Sequence, residues 1–128
     1  MVGIVIVSHS ETLAKGVVEF CRIMAKNIPI EAAGGLDDGG IGTSFEKIMG
    51  AVERAQQGDG VLILMDLGSA VMTTEMVLET LGDDTVHMVD CPLVEGAMEA
   101  AILAEGGMDV LAVKAEAESA REVRKINK

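Results

Sequence analysis

The chain opens on an unbroken apolar run, Val2 to Val7, which stops at the polar turn Ser8-His9-Ser10 and gives way to a helical pattern. From Ser10 to Lys26, the residues Leu13, Val17, Phe20, Cys21 and Met24 recur at helical spacing, with Ser10 placed as an N-cap and Asn27 near the stop. Pro29 through Ala33 reads as a short strand that breaks into the glycine-rich acidic loop Gly34 to Gly40. A second helix begins near Gly42 to Ser44, turns Phe45, Ile48, Met49 and Val52 inward, and ends before Gly58-Asp59-Gly60. Val61 to Met65 is five apolar residues in succession, which implies a central strand buried on both faces. It stops abruptly at Asp66, and Gly68-Ser69 opens a third helix running to about Leu81. A strand around Thr85 to Val89 follows, Pro92 starts a fourth helix, and a last strand, Val110 to Val113, precedes a polar C-terminal helix. This alternation predicts the α/β class: an open, doubly wound, largely parallel β-sheet flanked by helices on both faces, with right-handed crossovers. Residues 1–128 read as a single domain without internal repeat or linker.

Composition narrows the functional classes. Half of the 128 residues are hydrophobic (49%) and only two are proline, which argues for one packed core and against disorder. Ten basic against twenty-one acidic residues give a net charge of −11, which disfavours nucleic acid as a ligand and suits either solubility or the steering of a basic protein partner. Cys21 and Cys91 have neither metal-ligand spacing nor a disulfide framework, so they read as reduced residues of a cytoplasmic protein. No apolar run approaches the roughly 20 residues that cross a bilayer, and the first apolar segment lacks the basic lead-in of a signal peptide.

Three polar loops, each following a strand, are brought to one edge of such a sheet, where ligands of open α/β proteins collect. They are Ser8-His9-Ser10, Ile41-Gly42-Thr43-Ser44 and Asp66-Leu67-Gly68-Ser69-Ala70. An imidazole at His9 can serve as a general base, a metal ligand or a nucleophile that accepts a group. The backbone N–H groups at the start of the helix after it suit an anion such as a phosphoryl group. Gly42 before Thr43, and Gly68 before Ser69, let amides approach an anion while the hydroxyl adds a donor, although both pairs are also common helix caps. Asp66 ends a doubly buried strand, so its carboxylate needs hydrogen bonds to offset desolvation. It either caps the following helix or holds one ring nitrogen of His9, fixing the tautomer and aiming the other nitrogen outward.

The strings VSHS, GGLDDGGIGTS, MDLGSA and PLVEGA, in this order and spacing, resemble the phosphotransfer subunits of phosphoenolpyruvate-dependent dihydroxyacetone kinases. Their domain is related to the mannose-type enzyme IIA domain of the sugar phosphotransferase system, and the resemblance covers nearly the whole chain. It implies that His9 accepts a phosphoryl group from the small carrier protein HPr, with Asp66 as its orienting carboxylate. The group would then pass to a nucleotide-binding kinase subunit that holds ADP, while dihydroxyacetone is phosphorylated on yet another subunit. Ser10, Gly42, Thr43, Gly68 and Ser69 suit the phosphoryl-binding role, with no metal and no cofactor held by this chain itself. The resemblance also implies a homodimer. Some relatives append further phosphocarrier domains, and a chain with one domain would depend on separate proteins for its supply. Where the family pattern has Ala before Pro92, this chain has Cys91.

Other holders of this architecture fit less well. Flavodoxin-like proteins stack their cofactor on aromatics, and here there are only Phe20 and Phe45. A response-regulator receiver needs acidic residues after the first strand to hold magnesium, and a dinucleotide-binding domain needs glycines there; Ser8-His9-Ser10 occupies that place. A regulatory domain that keeps the fold and docks a partner without transfer is the non-enzymatic alternative. His87 reads as a core or edge residue of a strand, Asp37 and Asp38 as a solvated loop, and Glu95-Gly96 as helix start and packing. The nine methionines, Met65, Met72, Met76 and Met98 among them, mostly have core spacing, and any left exposed on the third helix would mark a subunit contact.

Overall fold

The computed structural model describes residues 1–127. Strand and helix alternate as β1 (Gly3–Ser8), α1 (Glu11–Cys21), β2 (Ile30–Gly34), α2 (Phe45–Ala55), β3 (Val61–Met65), α3 (Val71–Leu81), β4 (Val86–Val89), α4 (Leu93–Glu105) and α5 (Val110–Glu118). A 3₁₀ turn, Gly68–Ala70, leads into α3, and another, Ser119–Glu122, follows α5. The four strands form one sheet in the order β2-β1-β3-β4, and every pairing is parallel.

Alternation along the two central strands builds two cores. Ile4 and Ile6 of β1 and Leu62 and Leu64 of β3 face the side covered by α1, α4 and α5, while Val5, Val7, Val61 and Ile63 face α2 and α3. All eight are fully buried, which is why both strands read as continuous apolar runs. On the first face α4 presents Ala97, Ala100, Ala101 and Ala104, so small that the helix lies close against the sheet. The winding reverses between β1 and β3: β1 connects through α1 outward to β2, and β3 connects through α3 outward to β4 on the opposite side. That reversal is a topological switch point, where the loops beyond the strand ends diverge and leave a crevice.

Three expectations from the sequence are corrected. Val110 to Val113 is not a strand but the first turn of α5. Asp109 caps that helix, its side chain accepting the N–H of Ala112 at 2.9 Å, and Val113, Ala117 and Ala120 are buried at helical spacing. A four-residue apolar run cannot by itself be told from a buried helical turn. The first helix stops at Cys21 rather than Lys26, because the chain turns where the Arg22 guanidinium donates to the carbonyls of Ala25 and Ile28 at 3.3 and 2.6 Å. Its buried face is the small set Ala14, Val17 and Cys21, whereas Leu13, Phe20 and Met24 stay 43%, 45% and 57% exposed. Pro92 sits one residue ahead of α4, at its N-cap.

Met72 and Met76 are exposed on α3, at 76% and 56%, and so depart from core spacing. Both cysteines are free thiols, pushed up to about 11 by burial. Gly96 leaves no room for a Cβ because the Cys91 sulfur occupies that space. Among the described residues no helix is long and apolar enough to cross a membrane. If α5 depends on its cap, Asp109→Ala lowers stability by about 1 kcal/mol in urea unfolding with an unchanged slope.

Candidate functional site

The parallel ladder between β1 and β3 runs one step past the strands, the Asp66 N–H donating to the Val7 carbonyl at 3.1 Å. The next residues of the two strands therefore emerge side by side at the switch point. There the Asp66 carboxylate gathers the donors of the first loop. Its Oδ2 accepts the Ser8 hydroxyl and the His9 backbone N–H, each at 3.0 Å. Its Oδ1 accepts the Leu67 N–H at 2.7 Å and lies 3.0 Å from His9 Nδ1, with Oδ2 3.2 Å from the same nitrogen. An ionised carboxylate only accepts, so in the neutral imidazole the proton sits on Nδ1 and the lone pair on Nε2. Nε2 faces Ser69, whose hydroxyl donates to it at 2.9 Å.

Burial works to raise the Asp66 pKa, but the hydrogen bonds from the His9 amide, the His9 ring, the Ser8 hydroxyl and the Leu67 amide outweigh it and hold the carboxyl below the usual range. The aspartate side chain is 11% exposed and the histidine side chain 23%, so the pair is shielded on the protein side and open on the other.

The second loop closes over the same residues. Gly35 N–H donates to the Ser8 carbonyl at 3.1 Å and Gly42 N–H to the His9 carbonyl at 2.9 Å, which ties both ends of the glycine-rich segment to the histidine turn. Gly42 has φ +150°, a backbone conformation that calls for glycine, and a Cβ there would displace the end of the Leu36 side chain, 2.9 Å away. Lys47 braces the segment from α2: its ammonium donates to the carbonyls of Gly34 and Leu36 at 3.1 and 3.0 Å and to Glu11 at 3.2 Å. Hydrogen bonds from Lys15 and Lys47 hold the Glu11 carboxyl below its ordinary value.

His9, Asp66, Gly42 and Ser69 are thus joined by direct hydrogen bonds. Thr43 adjoins Gly42 and its hydroxyl lies 3.1 Å from that of Thr73 on α3. Gly68 opens the 3₁₀ turn ahead of Ser69, with open space where a Cβ would be. Ser10 is otherwise engaged, its hydroxyl capping α1 by accepting the Leu13 N–H at 3.2 Å and its amide donating to the Ser8 hydroxyl at 3.0 Å. Two residues that sequence reasoning did not single out emerge here. Ser8 is fully buried and links Asp66 to the amide of Ser10, a role signalled only by its being the polar end of a doubly buried strand. Thr73 carries no sequence signal beyond its place on a helix. Cys91 lines, with Asp66 and Leu67, a neighbouring cleft of about 350 Å³ between the ends of β3 and β4. Asp37 accepts the Ser44 hydroxyl at 3.4 Å and Asp38 the Gly40 amide at 2.8 Å, as loop-shaping contacts.

Fold and site together define a doubly wound parallel α/β protein that carries a carboxylate-held histidine at its switch point. Residues 3–114 match the family described as EIIA-man, PTS system fructose IIA component. The chain is 44% identical over 116 residues to the phosphotransferase subunit DhaM of the PTS-dependent dihydroxyacetone kinase of Lactococcus lactis, spanning 91% of this chain and 93% of that one. It is 41% identical to the phosphoryl donor subunit DhaM of the PEP-dependent dihydroxyacetone kinase of Escherichia coli, across 86% of this chain and 25% of that longer protein. A crystal structure of a protein described as of unknown function superposes with a TM-score of 0.86 at 34% identity and 98% coverage of each chain. The chain belongs to the mannose-type enzyme IIA family of the phosphotransferase system and is a homologue of DhaM subunits. At family level its role is that of a phosphoryl carrier. A sigma-54 interaction domain protein from Enterococcus faecalis, at 17% identity and a TM-score of 0.74, shares the fold.

Because the Asp66 carboxyl is held low, its contribution to stability is present above the unfolded value of about 3.9 and is lost as pH falls through the folded value. The stability difference between wild type and Asp66→Asn is therefore expected to be level above about pH 4 and to narrow below it, as read from urea unfolding at a series of pH values.

Proposed function

We propose that this chain is a phosphohistidine relay: His9 accepts a phosphoryl group from phospho-HPr and passes it to the ADP-binding subunit of a dihydroxyacetone kinase. The observation that carries this reading is the division of labour on the His9 ring, with Nδ1 against Asp66 and Nε2 facing the Ser69 hydroxyl. Nε2 is then the nucleophile. As its bond to phosphorus forms, the bond between phosphorus and the donor nitrogen breaks, and the donor leaves with that electron pair. The proton on Nδ1 stays in place, and the positive charge gained by the ring is offset by Asp66.

The transition state of such a transfer is loose, so the protein's task is alignment and electrostatic support. Ser69 and Thr43 supply hydroxyls, Gly42 and Gly68 leave room for close backbone approach, and Ser10 fixes the start of α1 beside the acceptor. Sugar and ADP belong to other subunits in this reading, and this chain holds neither. The exposed side chains Ile41 and Leu67, 74% and 61% accessible, flank the histidine and offer an apolar rim on which two carriers dock in turn. The net charge of −11 favours basic docking faces and fast, weak encounters. The relay works in the cytoplasm as a homodimer, with Met72 and Met76 of α3 as the self-association face.

Incubation with phosphoenolpyruvate, enzyme I and HPr is expected to add one acid-labile, base-stable phosphoryl group to wild type, read by intact mass or radiolabel. His9→Ala is expected to keep its circular dichroism and take none; a mutant that still carries label removes the assignment. Sedimentation at micromolar concentration is expected to give twice the chain mass, and a monomer there removes the dimer.

A further inference from the structure

Threonines inside helices commonly turn their hydroxyl back onto the carbonyl one turn earlier. Two of the three on α3 do so: Thr74 donates to the Ala70 carbonyl and Thr80 to the Met76 carbonyl, each at 2.9 Å. Thr73 does not. Its hydroxyl reaches across to α2's leading loop and meets that of Thr43 at 3.1 Å. Four residues earlier on the same segment Ser69 touches His9 Nε2, and one residue before Thr43 the Gly42 amide holds the His9 carbonyl. The Thr43–Thr73 contact therefore joins the two loops that flank the accepting nitrogen.

Two hydroxyls in contact share one proton between them and leave the second free for a third acceptor. Where Thr73 donates to Thr43, the Thr43 proton is the free one, and it is polarised by the bond it receives. We propose that Thr73 is a positioning residue for the relay, fixing the Thr43 hydroxyl as a donor toward the phosphoryl group on His9. This rests on the relay reading above and adds to it a residue on α3 that touches neither histidine nor phosphate.

The test compares phosphoryl transfer from phospho-HPr to wild type, Thr73→Val and Thr73→Ser over a range of phospho-HPr concentrations. Valine keeps the branched shape and removes the hydroxyl; serine restores the hydroxyl. Loss of a direct donor to a developing anion costs about 10²–10³ in rate, and a group acting through that donor is expected to cost about tenfold. Thr73→Val should lose that factor in the saturated rate with the half-saturating concentration unchanged within about twofold, and Thr73→Ser should recover to within about threefold of wild type. Equal rates in wild type and Thr73→Val overturn the inference while leaving the relay intact, and so does an equal loss in Thr73→Val and Thr73→Ser. Absence of label in wild type overturns the relay reading and this inference with it. Should Thr73→Val fail to fold, Thr73→Ala removes the same hydroxyl without placing a methyl against the Thr43 hydroxyl, and the same outcomes apply.

Discussion

One carboxylate organises this molecule's working edge. Asp66 leaves a strand that is buried on both faces, at the point where the sheet's winding reverses, and its charge is met by a serine hydroxyl, a backbone amide and an imidazole from the end of β1 and by the amide of Leu67, the residue that follows it. The hydrogen bonds that keep the carboxylate ionised are the same ones that fix the first loop. Position and tautomer of the histidine follow from that one requirement, because a partly buried carboxylate must be satisfied and His9 supplies two of its donors.

Such a geometry needs a frame that does not give. The central strands supply eight fully buried branched side chains, four to each face, and the alanines of α4 bring that helix tight onto the sheet. The glycine-rich segment after β2 would otherwise be the weak part. Lys47 converts it into a braced loop by taking two of its carbonyls, and Gly35 and Gly42 bond it to the histidine turn at both ends. The loop thus borrows its order from α2 and β1.

Much of this was legible in the sequence, for identifiable reasons. Continuous apolar runs over Val2–Val7 and Val61–Met65 disclosed buried parallel strands, and the polar ends of those runs made Asp66 and His9 candidate partners; that β1 and β3 are neighbours in the sheet, which decides for the pair, is visible only in the structure. Gly42 and Ser69 were readable as loop residues at the same edge. Val110–Val113 departs from the strand its run suggests because four apolar residues fit a buried helical turn equally well, and Asp109 caps that turn. Leu13, Phe20 and Met24 share the helical spacing of a core stripe, yet the close approach of α1 to the sheet selects the smaller Ala14, Val17 and Cys21 for burial. Ser8 and Thr73 act through side-chain contacts made across loops, and no period or spacing along the chain encodes those.

Among the described residues, the hydrogen-bond partners of the His9 and Asp66 side chains are hydroxyls and backbone amides, uncharged apart from the pair itself. Charged clamps such as paired arginines bind phosphate tightly and would make the site a trap. Neutral dipoles point a dianion without cancelling it. A phosphoryl group seated on Nε2 would then be aimed rather than gripped, and would keep most of the transfer potential with which it arrived. For a molecule that must surrender what it takes, a weak hold is the useful property.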